Sequence, residues 1–284
     1  MTPPPRPPPS PVPPKGGPER HLEHFRHTPQ GKGRTRARPR GRGAVGCGGG
    51  RVELMRIGIL GTGNVGRALA SAWARAGHDV VVGSRRPDDQ ERLTELKELI
   101  TSGLRVEGCA AAAAHAEVLV NATPGTASVA LLRTIGAPAL AGKIVLDVGV
   151  GFLEDGSLSH PDVSLGEEIQ RAFPETRVVK TLCTIDRKVM VAPESLEGPA
   201  TVFLSGEDAE AKTVVRGLVT DLGWADDALL DLGGIDTARG QEHFALLFMG
   251  IATATGTYEF GIRVVLPSAA GSGSQGLPRG QGAP

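Results

Sequence analysis

The sequence predicts an α/β fold: a parallel sheet flanked by helices, then a smaller α/β region that ends in a long apolar helix. Three observations predict it. From Met55 onward, short apolar runs alternate with stretches of helical length, the pattern of parallel strands joined by crossover helices. The turn after the first run, Gly61-Thr62-Gly63-Asn64-Val65-Gly66, has the spacing G-x-G-x-x-G. The two ends of the chain have a different composition, rich in Pro, Gly, Arg or Ser, and bracket a globular body.

The elements follow in order. Arg56–Leu60 is a short apolar strand, and Asn64–Ala76 is a helix closed by Gly77, a favoured residue past a helix end. Asp79–Val82 is a second strand, and Asp88–Thr101 is a charged helix with leucines at 93, 96 and 99. A weak strand at Leu104–Val106, an alanine-rich turn at Ala110–Ala116 and a buried strand at Val118–Asn121 come next, before Thr123-Pro124-Gly125 breaks the chain. A helix at Ala127–Ile135 leads to a strand at Lys143–Val148. In the second half, Leu165–Ala172 and Asp208–Leu222 read as helices, and Arg177–Thr181, Ala200–Ser205 and Ala228–Leu232 as strands. Ile235–Tyr258 reads as the long apolar helix.

The domain layout is therefore residues 1–54 as a Pro/Arg-rich extension, 55–150 as the main sheet domain, 151–265 as a smaller substrate or capping region, and 266–284 as a tail. Both ends are expected to be disordered, since they lack the large apolar side chains that would offset the entropy of ordering. Met55 stands directly on the first strand and reads as an alternative start. Residues 1–54 carry 11 Lys or Arg against 3 Asp or Glu, leaving 20 against 28 for the rest. A mildly acidic body argues against nucleic-acid or membrane-surface binding. Cys47, Cys109 and Cys183 are too few and too scattered for a disulfide framework or a zinc site. No apolar run is long enough to span a bilayer, and a cytoplasmic protein is expected.

The glycine turn carries the chemistry. After a strand and before a helix, G-x-G-x-x-G is the fingerprint of a Rossmann-type dinucleotide site. Gly61 allows the tight turn, Gly63 lets backbone approach a pyrophosphate, and Gly66 lets helix and strand pack closely. Unpaired N–H groups and the helix dipole then face the phosphates. Thr62, Asn64 and Val65 complete the turn as candidate cofactor contacts. Selection between the two nicotinamide dinucleotides turns on the end of the second strand, Gly83-Ser84-Arg85-Arg86, which lacks the carboxylate that would hold an unphosphorylated ribose. A hydroxyl at Ser84 and guanidinium groups at Arg85 and Arg86 suit a 2′-phosphate, so the expected cofactor is NADP(H). Thr123, Pro124 and Gly149, at the carboxyl ends of later strands, are expected on the nicotinamide side.

From Met55 to about Val265 the chain resembles the NADP-dependent coenzyme F420 reductase-like family. The resemblance rests on Arg56–Arg86 with its Gly-Ser-Arg-Arg ending, on Val178-Val179-Lys180-Thr181-Leu182, on Phe203–Lys212, on Leu222-Gly223-Trp224 and on Asp231–Gly240. It implies hydride transfer between NADP(H) and a flavin-like acceptor, coenzyme F420, and a homodimer. Such a transfer needs aligned rings and excluded water more than a side-chain acid or base. No residue is assigned as catalytic or as a metal ligand. His243 is the candidate pocket residue of the last helix, with a packed role preferred, and Asp147 reads as structural. The chain departs from the family at Gly149, Cys183 and Gly261, where relatives tend to carry proline or asparagine, and these positions are expected to border the second-substrate pocket. Strand alternation would set Lys180 on the face opposite Cys183, leaving Cys183 as a small wall residue. Two alternatives stay open: reduction of another small acceptor such as a flavin, quinone or imine, and NADPH binding or sensing without turnover.

Overall fold

A computed structural model of the chain describes residues 54–89, 94 and 96–267. The expectations for residues 1–53, 90–93, 95 and 268–284 lie outside the described residues. The strands are β1 (Arg56–Leu60), β2 (Asp79–Ser84), β3 (Arg105–Gly108), β4 (Val118–Asn121), β5 (Ile144–Asp147), β6 (Arg177–Thr181), β7 (Val202–Ser205) and β8 (Leu229–Asp231). The described helices are α1 (Asn64–Arg75), α2 (Lys97–Thr101), α3 (Cys109–His115), α4 (Gly125–Ile135), α5 (Ala137–Leu140), α6 (Leu165–Ala172), α7 (Arg187–Met190), α8 (Ala209–Thr220) and α9 (Ala238–Thr255).

The eight strands form a single sheet in the order β3-β2-β1-β4-β5-β6-β7-β8. Strands β1 to β6 are parallel, β7 runs antiparallel to β6, and β8 is parallel to β7. The order reverses between β1 and β4, and a crevice at the carboxyl ends beside that reversal is where such sheets bind ligands. The second half was expected as a separate smaller α/β region; its strands instead extend the first sheet, with Ile144 opposite Arg177 in register.

Two apolar layers sandwich the sheet. Ile57, Ile59, Val80 and Val82 pack with Leu69 and Trp73 of α1 and Val215 and Leu218 of α8. On the other face Leu60, Leu119, Val145 and Val178 pack with Ala113 of α3, Leu132 of α4 and Ile169 of α6. The alanine run of α3 is explained by closeness: a Cβ at Gly58 would stand 2.3 Å from the Ala112 carbonyl oxygen. Only small side chains on both partners allow that approach.

The last helix differs from its expected form. Residues 235–237 make a 3-10 turn, and α9 then runs for 18 residues to Thr255. Its buried stripe is not uniformly apolar: Gln241 and Glu242 are buried together with Ala238, Ala245 and Ala252, while Leu246, Leu247 and Met249 are exposed. Among the described residues no helix is long and apolar enough to cross a membrane.

Candidate functional site

A cavity of about 1190 Å³ opens at the carboxyl ends of β1, β2, β4 and β5. Its walls bring together the glycine turn, the end of β2, the first residue of α3, the loop into α4 and the loop after β5. Gly61, Thr62, Gly63, Asn64, Val65, Ser84, Arg85, Arg86, Thr123, Pro124 and Gly149 all line it. Gly66 does not. A Cβ there would come within 2.1 Å of the Gly61 carbonyl oxygen, so Gly66 serves the packing of α1 against the turn.

The turn is built as its spacing requires. Gly61 has φ +118°, a conformation that other residues adopt only with strain. Gly63 precedes α1 as its cap residue and offers no side-chain hydrogen bond to the helix end. The first turn of α1 holds no acidic residue, so the positive helix end faces the cavity uncompensated. A Cβ at Gly63 would meet no protein atom within 4 Å; the space over this backbone is open to a ligand.

At the end of β2 the three polar residues have different surroundings. Ser84 is buried, and its Oγ accepts a 3.1 Å hydrogen bond from the Arg86 amide. That leaves the Ser84 hydroxyl hydrogen to donate elsewhere. Arg86 pairs with Asp89 at 3.2 Å. Arg85 is exposed on the cavity wall and makes no ion pair or hydrogen bond with a described residue. Cys109, also on the wall, has a thiol whose pKa is raised by burial and partly lowered again by the Arg85 charge.

The far wall rests on a buried polar network. The Asn121 amide donates to Ser128 Oγ at 3.0 Å and to Asp147 Oδ1 at 2.8 Å. Thr123 Oγ1 donates to Asn121 Oδ1 at 2.6 Å. Asp147 Oδ1 also accepts from the Gly149 amide at 3.0 Å. Below it Lys180 is fully buried and reaches Asp147 Oδ2 at 2.9 Å, Glu242 Oε1 at 2.8 Å and the Gly149 carbonyl. Glu242 in turn accepts from the amides of Leu165 and Gly166 at the start of α6. Burial disfavours the Lys180 ammonium, but the Asp147 and Glu242 carboxylates outweigh it and hold its pKa above the ordinary value. The sequence reading missed this cluster, although a lysine within Val-Val-Lys-Thr and a glutamate in an apolar helix were its visible signals.

One expectation is corrected at the end of β6. Strand alternation was expected to separate Lys180 from Cys183. The strand ends at Thr181, Leu182 takes φ +61°, and the Lys180 charge acts on the Cys183 thiol. Desolvation nevertheless dominates and pushes that thiol up to about 12, which leaves it protonated at neutral pH and a poor nucleophile. Neither Cys183 nor Gly261 lines the cavity. A Cβ at Gly261 would stand 2.5 Å from Ala200 Cβ and 2.8 Å from Leu196 Cδ1, so tight packing explains that glycine. His243, for which a packed role was preferred, lies outside the cavity too and is exposed, with Nε2 2.9 Å from the Pro161 carbonyl.

The family model for coenzyme F420-dependent NADP oxidoreductases matches residues 56–151. The crystal structure of an Arthrobacter sp. FB24 protein, assigned as an F420-dependent NADP reductase, is 40% identical, with a TM-score of 0.69. The match covers 75% of this chain and all of that one. This chain belongs to the coenzyme F420-dependent NADP oxidoreductase family. Members of this family are NADP-dependent oxidoreductases, and F420-dependent NADP reductase of Methanothermobacter marburgensis is 26% identical over 74% of this chain and 98% of its own. Metalloreductase STEAP3 of Rattus norvegicus is 31% identical over 194 residues. The match takes in 68% of this chain but only 37% of the metalloreductase, so the chain spans little more than a third of that relative's length.

Proposed function

We propose that this family member transfers a hydride between NADP(H) and a flavin-like acceptor, coenzyme F420, which the names of its family and of two of its relatives carry. The observation that carries the reading is the end of β2. A serine hydroxyl and a guanidinium that pairs with no described residue stand on the wall of the cavity that holds the glycine turn, with no carboxylate at the strand end.

The residues fit the cofactor by their chemistry. The open backbone at Gly63 and the amides beginning α1 would hold the pyrophosphate. The Ser84 hydroxyl and Arg85 would hold the 2′-phosphate, while Arg86, tied to Asp89, would add charge from the rim. Thr123, Pro124 and Gly149 would border the nicotinamide, their backbones fixed by the Asn121–Asp147–Lys180 network. When bound, the dinucleotide supplies the hydride itself. The protein's task is to fix the ring and exclude water. No described side chain in the cavity is assigned as a proton donor. Exposed Leu246, Leu247 and Met249 on α9 support a pairing of two copies as part of the same proposal.

The deciding experiment mixes the protein with NADPH and, separately, F420 or FMN, and follows each chromophore. Reduction of F420 in preference to FMN supports the full reading. Reduction of FMN, a quinone or an imine alone retains the oxidoreductase but replaces its substrate. Tight NADPH binding with no turnover of any acceptor makes the chain a nucleotide sensor and overturns the catalytic reading.

A further inference from the structure

A second cleft of about 440 Å³ lies between α4, α6 and the loop that joins β5 to α6. Its charged and titratable wall residues are Arg133, His160, Asp162, Glu168 and Arg171. The two arginines stand in the last turns of α4 and α6, where the helix dipole favours a cation. Neither makes an ion pair or a hydrogen bond with a described residue, although carboxylates line the same cleft.

Those carboxylates are engaged or drawn elsewhere. Glu168 Oε2 pairs with His160 Nε2 at 2.8 Å. His160 Nδ1 is 2.7 Å from Ser159 Oγ, so Glu168, the imidazole and the hydroxyl form one chain of contacts. Asp162 is exposed and lies within electrostatic reach of Arg239. The loop adds uncommitted donors: among the described residues, the amides of His160, Asp162 and Val163 donate to no protein acceptor. Unpaired guanidinium groups and free amides around one concavity are the donor set that receives a small oxyanion.

We propose that this cleft binds an anionic group, a phosphate or a carboxylate, held by Arg133, Arg171 and the amides of the 160–163 loop. The cleft adjoins the dinucleotide cavity through neighbouring residues. Val150 lines the cavity, and the next residue, Gly151, accepts a hydrogen bond from the Ser159 amide at 2.9 Å. The anion can therefore come from either of two sources: the charged side chain of a ring-bearing hydride partner, which rests on the function proposed above, or a free small anion.

The test uses the full chain saturated with NADPH, so that the phosphate positions of the first cavity are filled. Titration with inorganic phosphate, followed by calorimetry, is expected to reveal one saturable site. The double variant Arg133→Ala/Arg171→Ala should weaken it tenfold or more while NADPH affinity changes less than twofold. No saturable phosphate binding, or binding unchanged in the double variant, overturns the proposal whatever the enzyme does with any acceptor. A second arm compares FMN with riboflavin, which lacks the phosphate, as hydride acceptors. A KM raised in the double variant for FMN alone assigns the cleft to the acceptor's side chain. Equal KM values for both flavins, alongside lost phosphate binding, assign it to a free anion.

Discussion

Replacing Lys180 with Met removes the cation from a buried cluster that keeps two carboxylates. The ammonium makes three contacts, with Asp147 at 2.9 Å, Glu242 at 2.8 Å and the Gly149 carbonyl. Methionine fills much of the space and satisfies none of them. Asp147 keeps its bonds from Asn121 and Gly149, and Glu242 keeps those from Leu165 and Gly166, but both charges stay buried without a counter-ion. Breaking a buried pair from one side costs about 3–5 kcal/mol, and the expected loss in urea unfolding at pH 7 lies in that range. Adding Glu242→Gln should recover part of it, with a coupling of about 1 kcal/mol or more. The pH dependence has a fixed sign. Lys180 has a folded pKa above its unfolded one, so its contribution is complete below the ordinary lysine value, about 10.4, and disappears as pH rises through the folded value. The gap between the parent and Lys180→Met should hold steady from neutral pH to about pH 10 and narrow beyond it. A loss below about 1 kcal/mol at pH 7 would refute the view that this cluster anchors the cavity wall.

Four further predictions concern the cavity and its surroundings. Arg85→Ala should leave stability nearly unchanged, since the side chain is exposed and makes no ion pair or hydrogen bond with a described residue. It should weaken NADPH by about 1.5–3 kcal/mol, roughly 10- to 150-fold, for a lost bond between charged groups; fluorescence titrations with both cofactors check this, and an equal loss for NADH would show that Arg85 does not read the 2′-phosphate. Gly63→Ala should stay within about 0.5 kcal/mol of the parent in unfolding yet bind NADPH roughly tenfold or more weakly, because its Cβ meets only open space. Gly66→Ala should instead destabilise by about 1–3 kcal/mol, its Cβ lying 2.1 Å from the Gly61 carbonyl oxygen. Gly261→Asn should also cost about 1–3 kcal/mol, through Ala200 and Leu196, and should leave the ranking of acceptors as it was; a changed ranking would return Gly261 to the substrate pocket.

The local part of this structure was legible because it depends on local rules. A buried parallel strand is a short run of apolar residues, and β1, β4 and β5 announce themselves as Ile-Gly-Ile-Leu, Val-Leu-Val-Asn and Ile-Val-Leu-Asp. The glycine turn is equally local, since one residue must take positive φ and another must bear an approaching helix. What stayed hidden depends on partners far apart in the chain. No pattern within Arg177–Thr181 says that its edge joins Ile144–Asp147, so the second half looked like a separate region. The α9 helix was misjudged for the same reason. Counting apolar residues made Gln241 and Glu242 look like interruptions, whereas they are the residues the fold buries, because Lys180, Ser205 and the amides at the start of α6 already wait there as partners. A polar side chain can be buried only where its partners exist. Lysine in β6 and glutamate in α9 are thus two halves of one observation, each anomalous alone and each explained by the other. That pairing ties the last helix to the loop at Gly149, and a change in α9 can therefore reach the cofactor cavity without touching its lining.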